Sequence, residues 1–254
     1  MLTREQRDRL HVVLVSPRNP LNIGAAARAM ANFGFSQLSV VAPYEPHWRE
    51  ARSAVGAETL LRNARIAKCL ADAIPDCSLV LGTAALAHRK PEQPVVLLPA
   101  LAPVVQAELI RGGRTALVFG PEKRGLTSDD LSLCHCLVEI PTHSRQPSMN
   151  LGQAVAVCLY ELSAPRSNSP EPPAIPSSHL ADPPATAHDL DLLAEIIDQT
   201  MVSANYSPSI MRNANRRHLH LLLCRLRLSH PDVRRILGLF RRVLWQLDRR
   251  GRPR

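Results

Sequence analysis

One pattern occurs three times in this chain and limits what it can fold into: a continuously apolar stretch that gives way to glycine, small or polar residues. His11-Val12-Val13-Leu14-Val15 leads to Asn22-Ile23-Gly24-Ala25-Ala26-Ala27-Arg28, and Leu117-Val118-Phe119 runs into Gly120-Pro121-Glu122-Lys123-Arg124-Gly125-Leu126-Thr127. Val138-Glu139-Ile140-Pro141 runs to Ser148-Met149-Asn150-Leu151. Strands apolar along their whole length are buried on both faces, which is the situation of a mainly parallel sheet covered by helices. Sheets of that kind place ligands beyond the carboxyl ends of their strands. The three loops therefore mark a site.

The rest of the first 163 residues fits that scheme. Strands are predicted over 11–16, 38–42, 78–83, 115–120 and 137–140. An alanine-rich helix begins near Asn22 and stops at Gly34, where glycine suits the left-handed C′ position. A mainly helical stretch follows Ala51 to about Ala73, and Pro91, Pro94, Pro99 and Pro103 break up the next connection. Further helices are expected over 104–111, over 127–135 behind a Thr127–Asp130 capping box, and over 150–162.

Between Pro165 and Pro184 the composition changes to proline and serine, with seven prolines, which reads as a linker. Beyond it Leu190, Leu193, Ile197 and Met201 recur at helical spacing, as do Val233, Leu237, Phe240, Leu244 and Leu247, with a helix over 212–228 between them. The division is 1–163 for an α/β domain, 164–187 for the linker and 188–254 for a small all-α extension. The length of 254 residues accommodates both units.

Charge is concentrated in the extension. Residues 211–254 hold 13 arginines against Asp232 and Asp248, an excess of +11, whereas residues 1–210 sum to −2. Arginine supplies 28 of the 31 basic residues, and its planar fork suits phosphate contacts and base stacking. Such a concentration favours a polyanionic partner, nucleic acid in particular, over a merely solvated helical face. Arg212, Arg216, Arg217, Arg225 and Arg227 are the candidate contacts.

Other chemistries are excluded by their missing signatures. There is no GxGxxG after the first strand, no GxxxxGK[ST], no GxSxG and no HExxH. The six cysteines form no CxxC pair and read as reduced, buried thiols. Cys134-His135-Cys136 lacks a second ligand pair, so no metal is expected. The charged start and the short, proline-broken apolar run 95–105 lead to an expectation of a soluble cytoplasmic protein with no membrane segment. What remains is a pocket of strand-end loops suited to an adenosine-like ligand, beside Arg28, Glu122 and Ser148.

In order and spacing, 22–30, 119–126 and 140–151 resemble motifs one, two and three of the SpoU/TrmH class of SPOUT RNA 2′-O-methyltransferases, over about residues 10–163. The linker and basic tail further resemble the tRNA methyltransferase J branch, which methylates the ribose at position 32 of the anticodon loop. The resemblance implies a parallel α/β sheet closed by a carboxyl-terminal trefoil knot, where physical priors alone give an unknotted doubly wound sheet. It also implies S-adenosylmethionine as cofactor, a homodimer that completes the active site, and tRNA as partner.

Mapped residue by residue, the resemblance assigns catalysis to Arg28, Glu122, Ser148 and Asn150. It assigns cofactor binding to Thr83, Ala84, Ala85, Gly120, Ile140, Pro147, Ser148 and Met149. Arg28 would grip the phosphate next to the target ribose and stabilise the developing oxyanion, since a guanidinium stays protonated and is a poor base. Ser148 would orient the 2′-hydroxyl. Met149 stands where leucine is usual, and Pro147 departs from the family pattern. The plainer alternatives are a surface arginine at Arg28, a turn anchor at Glu122, a loop serine at Ser148, and helix caps at Asn22 and Asn150. Methylation of ribosomal RNA and a non-catalytic RNA-binding relative are the competing functions.

Overall fold

The computed structural model describes residues 2–44, 46–85, 91–164, 182–206 and 211–250. A short helix α1 (Arg4–Asp8) precedes strand β1 (Leu10–Val15), helix α2 (Pro20–Phe33) and strand β2 (Gln37–Val41). Next come α3 (Glu58–Asn63), β3 (Arg65–Ala67), α4 (Leu70–Ala73) and β4 (Leu79–Thr83). β5 (Val95–Leu97), α5 (Leu101–Ile110), β6 (Thr115–Phe119), α6 (Ser128–Ser132), β7 (Cys136–Glu139) and α7 (Leu151–Ser163) complete the α/β part. All pairings are parallel, in the order β3-β2-β1-β6-β4-β7-β5.

Pleating explains why the strands are apolar throughout. Val12 and Leu14 of β1 join the core beneath α2, α5 and α7, while Val13 and Val15 join the core on the opposite face with Leu70, Ile74 and Leu137. Helix α2 is capped by the Asn19 side chain on Leu21 N, has Pro20 in its first turn, and ends at Gly34 with φ of 74°. It presents Ile23, Ala26, Ala27 and Met30 to the core and packs on α7. The small side chains allow that close approach: a Cβ on Gly152 of α7 would press on Ala25.

Two short strands differ from the sequence expectation. β3 interrupts the stretch expected to be helical, and β5 lies in the proline-rich connection. Each holds three residues at a sheet edge, and Pro94, just before β5, serves the ladder only as an acceptor, from Leu137 N–H at 2.9 Å. Cys69 is exposed, unlike the other five cysteines, which are buried free thiols.

Residues 165–181, most of the expected linker, lie outside the described residues. At its described end, Ala185 N–H donates to Leu228 O at 3.0 Å, and Thr186 with Asp189 forms a capping box. Helices α8 (Ala187–Ser203), α9 (Arg212–Leu226) and α10 (His230–Arg250) surround a core of Leu190, Leu193, Leu223 and Val233. They are fastened to the sheet part. Ala187 N–H donates to Cys77 O at 2.7 Å, and Arg227 pairs with Glu108 of α5 at 2.9 Å.

His135 sits wholly buried near this junction, with its Nδ1 accepting Val80 N–H at 3.1 Å. Burial first, then the Arg227 guanidinium, pushes its imidazole down from 6.5 to about 3. The unfolded chain takes up this proton first, so the contribution is complete above the ordinary histidine value and is lost as pH falls below it. The expected slope is about 1.4 kcal/mol per pH unit. Burial lowers His11 and His220 as well, with the same sign. Urea unfolding between about pH 7 and 5 should show the loss. His135→Asn, whose Oδ1 can still accept from Val80, should make it shallower by one proton.

Candidate functional site

A cavity of about 320 Å³ opens beyond the carboxyl ends of β4, β6 and β7, at the lower end of the range in which small ligands bind. Three loops build it. Thr83 ends β4 and Ala84 and Ala85 follow it; Gly120 to Leu126 follow β6; Ile140, Thr142, Pro147, Ser148 and Met149 follow β7. The end of β4 is tied to the strands on either side, with Thr83 Oγ1 donating to Val118 O of β6 at 3.0 Å and Ala84 N–H to Val138 O of β7 at 3.1 Å.

The β6 loop folds back on itself. Arg124 and Gly125 N–H groups both bond to Pro121 O, and Gly125 takes a φ of 64°. A Cβ at Gly120 would collide with the Gly125 and Leu126 backbone, so no larger residue fits there without opening the loop. Gly120→Ala is expected to weaken ligand binding in this cavity at least about ten-fold, since an opened loop no longer presents its backbone groups. Calorimetry with S-adenosylmethionine checks this. The β7 loop is closed by Thr142 Oγ1 donating to Pro147 O at 3.2 Å, which gives the unexpected proline a place in the turn.

Behind the cavity runs a polar chain joining all three motifs. Glu122 accepts from Arg18 N at 3.2 Å, Asn19 N at 3.3 Å and Asn22 Nδ2 at 2.7 Å. Asn22 Oδ1 accepts from Asn150 Nδ2 at 2.9 Å, and Asn150 Oδ1 caps α7 on Gly152 N at 2.9 Å. Partial burial alone would raise the Glu122 carboxyl. The Asn22 and backbone hydrogen bonds outweigh it and hold the group below its ordinary value. Glu122 therefore stays ionised at neutral pH and anchors the start of α2.

All eight residues assigned to the cofactor by resemblance line the cavity, as do Ser148 and Glu122 of the catalytic set. Asn150 caps α7 behind it. Asn22, in contrast, is not a cap; Asn19 holds that position, and Asn22 bridges Glu122 and Asn150. Arg28 is exposed on α2 and is not among the residues lining this cavity. Thr142 also lines the cavity and was not singled out from the sequence, and Lys123 and Leu126 of the marked β6 loop line it without having been assigned a role. Only loop closure could have signalled them.

The candidate RNA contacts fare differently. Arg227 is a correction: its side chain is 12% exposed and pairs with Glu108, which is 2% exposed, so it is a buried structural cation. Arg212 pairs with Asp198 at 2.7 Å, Arg216 with Asp191 at 3.6 Å and Arg217 with Asp129 at 3.5 Å. Arg225 is exposed. Among the described residues no group of three or more His, Cys, Asp or Glu could hold a metal ion, and no helix is long and apolar enough to cross a membrane.

Residues 9–160 match the model of the SpoU rRNA Methylase family. The chain belongs to the SpoU methylase family. It is 43% identical over 156 residues to the tRNA (cytidine/uridine/adenosine-2'-O-)-methyltransferase TrmJ of Pseudomonas aeruginosa, a match covering 61% of this chain and 60% of that relative. It is 30% identical over 242 residues to the tRNA (cytidine/uridine-2'-O-)-methyltransferase TrmJ of Pectobacterium atrosepticum, covering 93% of this chain and 97% of that one. The crystal structure of TrmJ from Z. mobilis superposes with a TM-score of 0.78 at 28% identity, covering 92% of this chain and 98% of that chain. The likeness to that solved structure thus extends through the helical extension, which the family model does not reach.

Proposed function

We propose that this protein is an S-adenosylmethionine-dependent 2′-O-methyltransferase of tRNA, acting at position 32 of the anticodon loop on cytidine or uridine. The observation that carries the reading is that the loops of motifs two and three meet the end of β4 around one cavity, with motif one tied to both through Asn22. Its lining fits the cofactor: apolar walls from Leu126, Ile140, Met149 and Leu151 suit an adenine ring and thioether stem. The backbone groups of the three loops, with the Thr142 and Ser148 hydroxyls, offer polar partners. When bound, the cofactor supplies an electrophilic methyl group on a sulfonium.

The chain's own residues supply position and charge. Ser148 at the cavity rim orients the ribose 2′-hydroxyl, and the Glu122–Asn22–Asn150 chain holds the three motifs in fixed relation. Arg28 grips the neighbouring phosphate and stabilises the oxyanion. Because Arg28 does not line the cavity of its own chain, the reading includes a homodimer. Exposed Leu21 on α2 and Tyr160 on α7 support such a face. It also includes the trefoil knot through these loops, residues 1–163 as the methyltransferase domain, 164–187 as connector, 188–254 as RNA-binding extension, and a cytoplasmic location. Of the α9 arginines, the half-exposed Arg216 and Arg217 and exposed Arg225 remain available to RNA.

The test is methyl transfer from labelled S-adenosylmethionine to total tRNA and to ribosomal RNA, with the methylated ribose mapped. Label at one anticodon-loop ribose supports the proposal; label confined to ribosomal RNA overturns the tRNA assignment.

A further inference from the structure

We infer that helix α10 carries a nucleotide-stacking site, centred on Trp245 between Arg242 and Arg249, for an unpaired base of the RNA substrate. The inference rests on the proposed reading of that substrate as RNA, and it moves the principal contact from α9 to α10.

The first observation is how the arginines are engaged. On and just after α9, Arg212, Arg216, Arg217 and Arg227 each face a carboxylate. On α10, Arg235 has Asp232 at 3.5 Å, whereas among the described residues Arg234, Arg241, Arg242 and Arg249 have no ion pair. Arg225 on α9 has no ion pair either, so among the described residues most, though not all, of the uncompensated positive charge of the extension is on α10.

The second is arrangement. Val233 and Leu237 are buried and Phe240 and Leu244 half-buried, forming the stripe that packs on α8. At 3.6 residues per turn, Arg234, Gly238, Arg241, Arg242, Trp245 and Arg249 fall on the other side of the helix. Trp245 is 42% exposed, and a Cβ at Gly238, two turns before it, would touch nothing, so the stripe has an open notch.

The third is the aromatic itself. Arg242, from the turn before, lies 4.3 Å from the indole centroid, and Arg249, from the turn after, lies 4.5 Å away. Two planar cations thus hold the ring in place at the surface. A nucleobase stacking on the indole would displace one guanidinium, which is then free to bind the adjacent phosphate. Stacking on aromatic rings is worth about 1–3 kcal/mol per base, or about 5- to 150-fold in affinity, and accepts any base. An Arg-rich helix with leucine and tryptophan could also lie on an anionic membrane. Here, however, much of the apolar stripe is occupied by α8, which favours RNA.

Acrylamide quenching of the intact protein reads the site directly. The chain has two tryptophans, Trp48 is buried at 1% exposure, and the accessible signal is that of Trp245. Adding tRNA is expected to shield it. Trp245→Ala should weaken tRNA binding about ten-fold with an unchanged salt slope, and Trp245→Phe should restore most of the loss. Arg234→Gln with Arg241→Gln should flatten the salt slope by about 1–2 units. Unchanged tRNA affinity in Trp245→Ala overturns the inference. So does shielding by phosphatidylserine–phosphatidylcholine vesicles but not by tRNA, or shielding that follows protein concentration alone. Methyl transfer measured on the same samples separates the two proposals. Shielding by tRNA without transfer sinks the enzymatic reading and keeps the stacking site; transfer with unaltered tRNA affinity in Trp245→Ala does the reverse.

Discussion

Arg227→Ala is expected to destabilise the protein by about 3 kcal/mol, read as a lower urea midpoint. Glu108 is 2% exposed, and its two oxygens are held by the Ser78 hydroxyl and the Arg227 guanidinium. Removing the guanidinium leaves a buried carboxylate whose remaining cation, Arg111, is 3.9 Å away. Loss of one partner of a buried pair costs about 3–5 kcal/mol, and the remaining contacts place this case at the lower end. Two further variants isolate the cause. Arg227 ends α9 in the left-handed region, with φ of 49°, so Arg227→Gly should recover about 1 kcal/mol by relieving the backbone. Adding Glu108→Gln to Arg227→Ala removes the orphaned charge and should recover more. An unshifted midpoint in Arg227→Ala would mean that this pair does not fasten the extension.

That pair also governs how truncation experiments read. Removing residues 164–254 to test RNA binding takes away Arg227 and uncovers α6, which meets α9, and the turn at Cys77, which meets Ala187. A loss of ligand affinity in the truncated chain would report a damaged core. Substitutions on the exposed face of α10 avoid the difficulty.

The major strands, α2 and α7 were legible because buried parallel strands leave unbroken apolar runs, and because Gly34, Thr127 and Asn150 are local signals that act within a few residues. β3 and β5 were not: three residues carry no periodicity, and their strand state comes from a neighbour's ladder. The β6 and β7 loops were legible as places beyond strand ends, whereas the segment after β1, read the same way, does not line the cavity; the resemblance named eight residues that the structure gathers around it. Asn22 was half legible. Its residue type suggests capping, but Pro20 shifts the helix start, so Asn19 caps and Asn22 faces Glu122 a hundred residues away. The arginines show the other limit. Composition counts charges, but whether Arg227 or Arg242 is available depends on carboxylates from distant helices, and no spacing rule reaches those.

Arg28→Ala is expected to lower the rate of methyl transfer about 10²- to 10³-fold, the usual loss on removing one donor to a developing oxyanion. S-adenosylmethionine affinity should stay unchanged, because Arg28 does not line the cavity. Arg28→Lys keeps the charge but not the two-pronged contact with phosphate, so it should recover only part of the rate. Near-normal turnover in Arg28→Ala would return Arg28 to a surface residue of α2. The position of Arg28 makes a sharper test possible. If it serves the cavity of a second copy, mixing Arg28→Ala with Gly120→Ala chains should restore activity, since a mixed dimer unites an intact cavity with the other chain's intact Arg28. If it serves its own cavity, every mixed dimer lacks one or the other at each site, and mixing should leave the rate at that of the single variants.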